Sequence, residues 1–398
     1  MPGETSVRSQ ERVRAAVMTG PGGLEVRDFP FPRVLDDGAL VRVELSGICG
    51  TDKHAYKGEG TVYGGTKAET GYRFPVIPGH ETVGTIEALG RRAQESINTP
   101  FGYTPKVGDR VIIGPDIFCG SCYYCRTYGQ NFIWCDNMRA YGQNPSCSEA
   151  PHLFGGWAEY VYILPNSYLF KVPDNLPPRT AVFTELMAVT YNLDKAREFY
   201  SMSNEGFKTG DTVVIQGVGP LGLCHVIKAR MLGAGDIVVV DSSPFRLELA
   251  REFGADVCLN IEETTMEDRV ERVRELTHGV GADLVVECTG SAKAILEGIE
   301  TTRKGGMYIV TGMFVDTGET VAINPHRHLC AKNIRLIGMT DEPPSGYDPM
   351  LKLMDKFSRY MPFDKFVTHE FALDQVGAAM DASMDANSSM KVVINPQK

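Results

Sequence analysis

Cys119, Cys122, Cys125 and Cys135 follow the pattern C-x2-C-x2-C-x9-C. Two overlapping C-x2-C units and a fourth thiol within one loop suit a tetrahedral site, with thiolates about 2.3 Å from a zinc ion. A closed four-thiolate set leaves no coordination position open, so its expected role is structural. An iron–sulfur cluster uses the same ligand type and is the alternative. The segment offers no helix on which redox C-x-x-C chemistry could start. Cys147 is a possible substitute for Cys135, but Cys135 lies nearer in sequence. A second constellation is looser. Cys49 sits in Gly47-Ile48-Cys49-Gly50-Thr51-Asp52-Lys53-His54, and His80 in Pro78-Gly79-His80-Glu81. Taken singly, such a cysteine is more often a small buried hydrophobe, and such a histidine a satisfied core residue.

Gly217-Val218-Gly219-Pro220-Leu221-Gly222 fits G-x-G-x-x-G. In a chain with 42 glycines the pattern alone is weak. Its surroundings strengthen it: it follows an apolar strand pattern, opens a helix pattern, and precedes Asp241 at the end of the next strand. Gly217 permits the tight turn, Gly219 lets backbone approach a pyrophosphate, and Gly222 lets helix and strand pack closely. The helix start offers free N–H groups to the anion. Asp241 is expected to accept hydrogen bonds from ribose hydroxyls and to repel a 2′-phosphate, which favours NAD over NADP. The plainer reading is a strand–turn–helix with a capping aspartate.

The elements that would position these residues fall into two styles. Residues 13–178 carry short alternating apolar runs broken by Gly and Pro, the pattern of an all-β region with long loops over 56–74 and 136–154. Tyr56, Tyr63, Tyr72 and Phe74 in the first loop suggest an apolar wall or the loop's own packing. A helix is expected over 181–200. Strands at 211–216, 236–241, 256–260, 283–287, 306–311 and 333–338 then alternate with helices at 221–232, 245–253, 267–277 and 292–301. Near-continuous β-branched strands alternating with helices predict a six-stranded parallel sheet covered on both faces, a doubly wound α/β fold. Helices at 349–360 and 373–381 and a strand at 391–395 complete the chain.

Composition narrows the function. With 398 residues, 43% hydrophobic and 23% charged, the chain is globular and long enough for two domains. A formal charge of -10 argues against nucleic acid as a partner. No apolar run reaches the roughly 18 residues of a membrane span, and residues 1–14 lack a signal-peptide core, so a cytoplasmic location is expected. In a reducing compartment, 10 cysteines point to metal binding before disulfides.

The order Gly-Ile-Cys-Gly-Thr-Asp, Pro-Gly-His-Glu, four-cysteine loop, Rossmann turn resembles the zinc-dependent medium-chain alcohol dehydrogenases over nearly the whole chain, from about Val13 to Asn395. The resemblance implies a GroES-like, mostly β catalytic domain (1–187 and 333–398) split around an NAD-binding Rossmann domain (188–332). It implies a catalytic zinc held by Cys49, His80 and a third ligand. That ligand is expected to be Glu185, as in the sorbitol, polyol and threonine dehydrogenase branches, with Glu81 as the fallback. Those branches usually carry Pro after the Glu, where this chain has Leu186. By the same resemblance Asp52 orients the zinc histidine, Thr51 hydrogen-bonds the substrate oxygen, His54 passes the proton to solvent, and Arg246 contacts the adenosine ribose. The implied activity is hydride transfer between an alcohol, by branch a secondary alcohol or polyol, and NAD, in a homodimer or homotetramer. Two other functions compete. A zinc-independent quinone or enoyl reductase would lack the Cys and His ligands and the four-cysteine loop. A non-enzymatic zinc or NAD(H) sensor would use Cys147, Cys224, Cys258, Cys288 and Cys330, most of which are expected to be buried and inert.

Overall fold

The computed structural model describes residues 11–398 apart from 60, 63–68, 70–71, 129–133, 204–205, 314 and 340–342. Tyr63 of the first long loop lies outside the described residues.

Six strands form one parallel sheet in the spatial order Val257–Asn260, Ile237–Asp241, Val213–Gln216, Ala282–Glu287, Thr302–Val310, Arg335–Gly338. The order runs outward in both directions from Val213–Gln216, so a crevice opens where the direction reverses, outside the carboxyl ends of Val213–Gln216 and Ala282–Glu287. The central strands are apolar at most positions because both faces are covered. Val213, Ile215, Val239 and Leu284 join the core under the helices Pro220–Met231 and Pro244–Glu252. Val214, Val238 and Val285 join the opposite core under Met266–Leu276 and Ala292–Thr301. Arg269 and Glu297 tie the second helix pair together through a bidentate ion pair, 2.8 and 2.5 Å.

The expected boundary after residue 332 cuts this sheet. Arg335–Gly338 pairs in parallel with Thr302–Val310, so the cofactor-domain sheet extends to Gly338. The expected single helix over 181–200 is three pieces: Pro178–Ala181, Thr184–Val189 and Asn192–Ser203. Two threonine hydroxyls bond to preceding carbonyls at the breaks, Thr184 Oγ1 to Ala181 O at 2.7 Å and Thr190 Oγ1 to Met187 O at 2.6 Å. Such back-bonding competes with the helical ladder. The helix expected over 349–360 starts earlier, at Pro344, and carries Pro349 inside it.

The other domain is a mostly antiparallel sheet in the order Tyr168–Lys171, Arg110–Gly114, Thr82–Leu89, Ala39–Gly47, Lys391–Ile394, Val367–Phe371, with Tyr160–Ile163 also on Ala39–Gly47. Its last two strands come from the end of the chain. Lys391–Ile394 pairs with Ser46 and Gly47, which brings the C-terminal strand directly beside Cys49. The sheet is thus assembled from both ends of the chain, before and after the parallel-sheet unit. Among the described residues no helix is long and apolar enough to cross a membrane.

Candidate active site

Cys49 ends an extended stretch and precedes the helix Gly50–Lys57. Asp52, in the first turn, accepts the Cys49 N–H at 2.9 Å through Oδ2, which fixes the chain's direction as it leaves the sheet. Its other oxygen lies 3.9 Å from His80 Nδ1, and both side chains are buried. Burial pushes the Asp52 carboxyl up, and the neighbouring imidazole works against that. His80 follows Gly79, whose φ of +91° and whose contact with the Trp157 ring leave no room for a side chain.

Ligand atoms of Cys49, His80 and Glu81 all lie within 4.8 Å of one another. The Glu81 carboxylate, however, also forms an ion pair with Lys391, and both side chains are almost wholly enclosed. Lys391 Nζ donates a further bond to Ile48 O at 3.0 Å. Burial pulls the Lys391 ammonium down, and the Glu81 carboxylate and Cys49 sulfur more than reverse it, so its pKa lies above the ordinary lysine value. Gly47 makes room for this pair, because a Cβ there would overlap the Glu81 carboxylate.

Glu185 stands in the first turn of Thr184–Val189, at the helix start created by the first break. It is buried and lines, with Cys49 and His80, an inner cavity of about 90 Å³, although the ligand atoms that converge within 4.8 Å are those of Cys49, His80 and Glu81 and not of Glu185. Asp116, Gln143, Leu186 and Val189 line the same cavity, and Thr51 reaches it with its hydroxyl 3.8 Å from Cys49 Sγ. Gln143 comes from the second long loop. Tyr72, from the first, donates its hydroxyl to Thr51 O at 2.9 Å. Tyr72 and Phe74 stack on each other and, with Tyr56, pack against the β-domain core, so these aromatics serve the loop's own packing.

A larger cavity of about 390 Å³ shares Cys49, Thr51, Leu186 and Leu221 with the inner one and runs to Gly219, Pro220 and Arg246. The glycines behave as their spacing predicts. Gly217 has φ +82°, and a Cβ on Gly222 would run into Gly217 O. Around Gly219 an added Cβ would meet only the Arg246 guanidinium, at 3.5 Å, so the backbone there is open to a ligand. Asp241 accepts Val218 N–H at 2.7 Å and Ser243 N–H at 2.8 Å, holding turn and following helix together at the carboxyl end of its strand. Burial lowers the Arg246 pKa, and the Asp241 carboxylate opposes the shift. His54 lines the same cavity, half-exposed, with Nδ1 3.0 Å from Glu59 Oε2.

The segment of the four loop cysteines is not free of helix as expected: Cys125 lies on the short helix Tyr123–Tyr128, which starts directly after Cys122. The four cysteines converge as well. Their sulfurs lie within 4.8 Å of one another, with Cys119 and Cys125 at 4.0 Å. Tetrahedral zinc–thiolate geometry needs sulfurs about 3.8 Å apart, so the set fits zinc. Backbone N–H groups point at the sulfurs: Ser121 and Cys122 at Cys119, Cys125 at Cys122, and Cys119 at Cys135. Burial opposes ionisation of Cys119, yet the Ser121 N–H and hydroxyl and the Cys122 N–H bring its pKa down to about 5, while burial pushes Cys125 up to about 12 and raises Cys135. Cys147 is absent from the set; it is buried in the β-domain core. Cys224 and Cys288 are pushed well above the ordinary thiol value by burial, and Cys147 and Cys258 are also raised by burial, so these four are not poised for redox sensing.

Sequence reasoning passed over Lys53, Glu59, Asp116, Gln143 and Lys391. Lys53 lies within Cys49-Gly50-Thr51-Asp52-Lys53-His54, and its place on the helix beside Thr51 and His54 was the available signal. Lys391 had none, since a lysine opening an apolar strand reads as a strand end.

Known proteins share this organisation. Residues 36–174 match the alcohol dehydrogenase GroES-like domain family, and residues 220–356 the zinc-binding dehydrogenase family. The chain is 32% identical to 5-exo-hydroxycamphor dehydrogenase of Pseudomonas putida over 96% of its length and 98% of that protein's. It is 28% identical to erythritol/L-threitol dehydrogenase of Mycolicibacterium smegmatis, covering 97% and 98% of the two chains. An alcohol dehydrogenase structure from Thermotoga maritima superposes with a TM-score of 0.84 at 30% identity, covering 96% and 99%.

Proposed function

The chain belongs to the zinc-dependent medium-chain alcohol dehydrogenase family, and we propose that it oxidises a secondary alcohol or polyol with NAD at the inner end of the interdomain cleft. The observation that carries this reading is the meeting of Cys49, His80 and Glu185 on one small cavity that opens into the cavity of the dinucleotide turn. Glu185 is the preferred third ligand, because Lys391 already holds the Glu81 carboxylate. Bound at these sites, zinc supplies a Lewis acid and NAD the hydride acceptor.

The chain's own residues do the rest. Leu186, Val189 and Leu221 exclude water from the inner cavity. Thr51 Oγ1 would accept the proton of the substrate hydroxyl only as its own hydroxyl proton leaves toward His54, which passes a proton to solvent through Nε2 while Glu59 holds its Nδ1 as a donor. The relatives that act on hydroxycamphor and on erythritol support a secondary hydroxyl as the reacting group. The same family reading carries a homodimer or homotetramer. The edge strand Arg335–Gly338, with Leu336 exposed, supports pairing across a two-fold axis. A cytoplasmic location rests on the reduced state that thiolate ligands require.

A panel of aromatic alcohols, polyols and amino-alcohols tests the reading. NADH formation is expected with secondary alcohols or vicinal diols, and no NADH with any member would sink it. In the same assay Asp241→Ala lowers the preference for NAD over NADP by roughly tenfold, the value of a charge-assisted hydrogen bond. Unchanged selectivity would mean that another residue reads the ribose.

A further inference from the structure

In a chain of net charge -10, the larger cavity is lined by Lys53, Lys57, Arg246 and Lys391 against one carboxylate, Glu81. Two of the four cations have acidic partners: Lys391 pairs with Glu81, and Lys57 lies 3.9 Å from Glu59. Lys53 has none among the described residues. Its ammonium donates one long bond, 3.4 Å, to the Ser383 carbonyl. Burial pushes its pKa down to about 8; Cys49 opposes that, and the charges of Lys391 and Arg246 add to it. A largely buried cation without a counter-ion is costly, and it persists where an anion arrives to meet it. Across the same cavity lies the N-terminus of the twelve-residue helix Pro220–Met231, with Gly219 leaving its backbone open.

We propose that Lys53 is a cofactor-binding residue that meets the pyrophosphate of the dinucleotide from the catalytic-domain side, opposite the Gly219–Leu221 turn. The inference rests on the dinucleotide reading of that turn and adds a contact from the other domain. Each phosphate-bearing cofactor would then bridge the two domains, with backbone N–H groups on one side and an ammonium on the other.

The test compares two fragments in direct binding by calorimetry. ADP-ribose carries the pyrophosphate and AMP does not. In Lys53→Met the ADP-ribose dissociation constant is expected to rise about tenfold or more, the worth of a charged hydrogen bond, while that for AMP stays within about twofold. Lys53→Arg, which keeps the charge, should stay within about threefold of the unmodified protein. If Lys53→Met does not fold, Lys53→Gln carries the same comparison. Equal ADP-ribose binding by the neutral variant overturns the proposal, as does equal weakening of both fragments. Absence of ADP-ribose binding by the unmodified protein would instead remove the dinucleotide reading itself.

Discussion

Cys49→Ala lowers kcat/KM for alcohol oxidation by about 10³-fold or more, some 4 kcal/mol of transition-state stabilisation. The dissociation constant for NADH shifts by no more than about threefold. The size of the effect follows from the geometry. Cys49, His80 and Glu185 line the inner cavity and are the ligands proposed for the metal, and removing the thiolate leaves a histidine and a carboxylate. The dinucleotide turn is on the other domain and keeps its own contacts, Asp241 to Val218 among them. Metal analysis of the variant should find one zinc per chain, the one held by Cys119, Cys122, Cys125 and Cys135. Retained turnover would show that Cys49 is not a ligand.

Lys391→Met is the second large expectation, and it acts on stability. Lys391 and Glu81 are both almost wholly enclosed and form an ion pair. Removing one partner of such a pair leaves an uncompensated buried charge, at a cost of about 3–5 kcal/mol. Removing both is far milder, so the double variant Glu81→Gln/Lys391→Met should be more stable than Lys391→Met alone. Denaturant midpoints of the zinc-loaded proteins measure this. A single-variant loss below about 1 kcal/mol would mean that something other than Lys391 neutralises Glu81.

The parts legible in the sequence are those with local causes. The Rossmann strands stood out because Val213–Gln216, Ile237–Asp241 and Ala282–Glu287 are covered on both faces and therefore apolar at nearly every position. The helix after Thr264 begins where a capping box places it, with Thr265 and Asp268 bonding each other's backbone N–H groups. The phosphate turn needed its glycines for reasons that spacing displays. The four-cysteine set was readable for the same reason, since its ligands lie within 17 positions of one another.

The illegible parts have causes distant in sequence or hidden in side-chain geometry. The breaks at Thr184 and Thr190 depend on which carbonyl a hydroxyl takes, and an apolar run such as 181–189 carries no mark of that choice. Those breaks matter, because they set Glu185 in a helix's first turn on the inner cavity. The Lys391–Glu81 pair joins residues that only the return of the C-terminal strand to Ser46 and Gly47 brings together. Lys53 was visible as a letter in a motif, but that no carboxylate among the described residues pairs with it is visible only in the folded chain.

The most direct measurement of the central claim is NADH formation from NAD and a secondary alcohol as zinc is withdrawn with a chelator and then restored, with zinc per chain determined at each step. The expected result is full activity at two zinc per chain, loss of activity on going to one, and recovery when the second is returned. The four-cysteine zinc, held in a closed site, should be the one that stays. Undiminished turnover at one zinc per chain would contradict a catalytic metal at Cys49, His80 and Glu185.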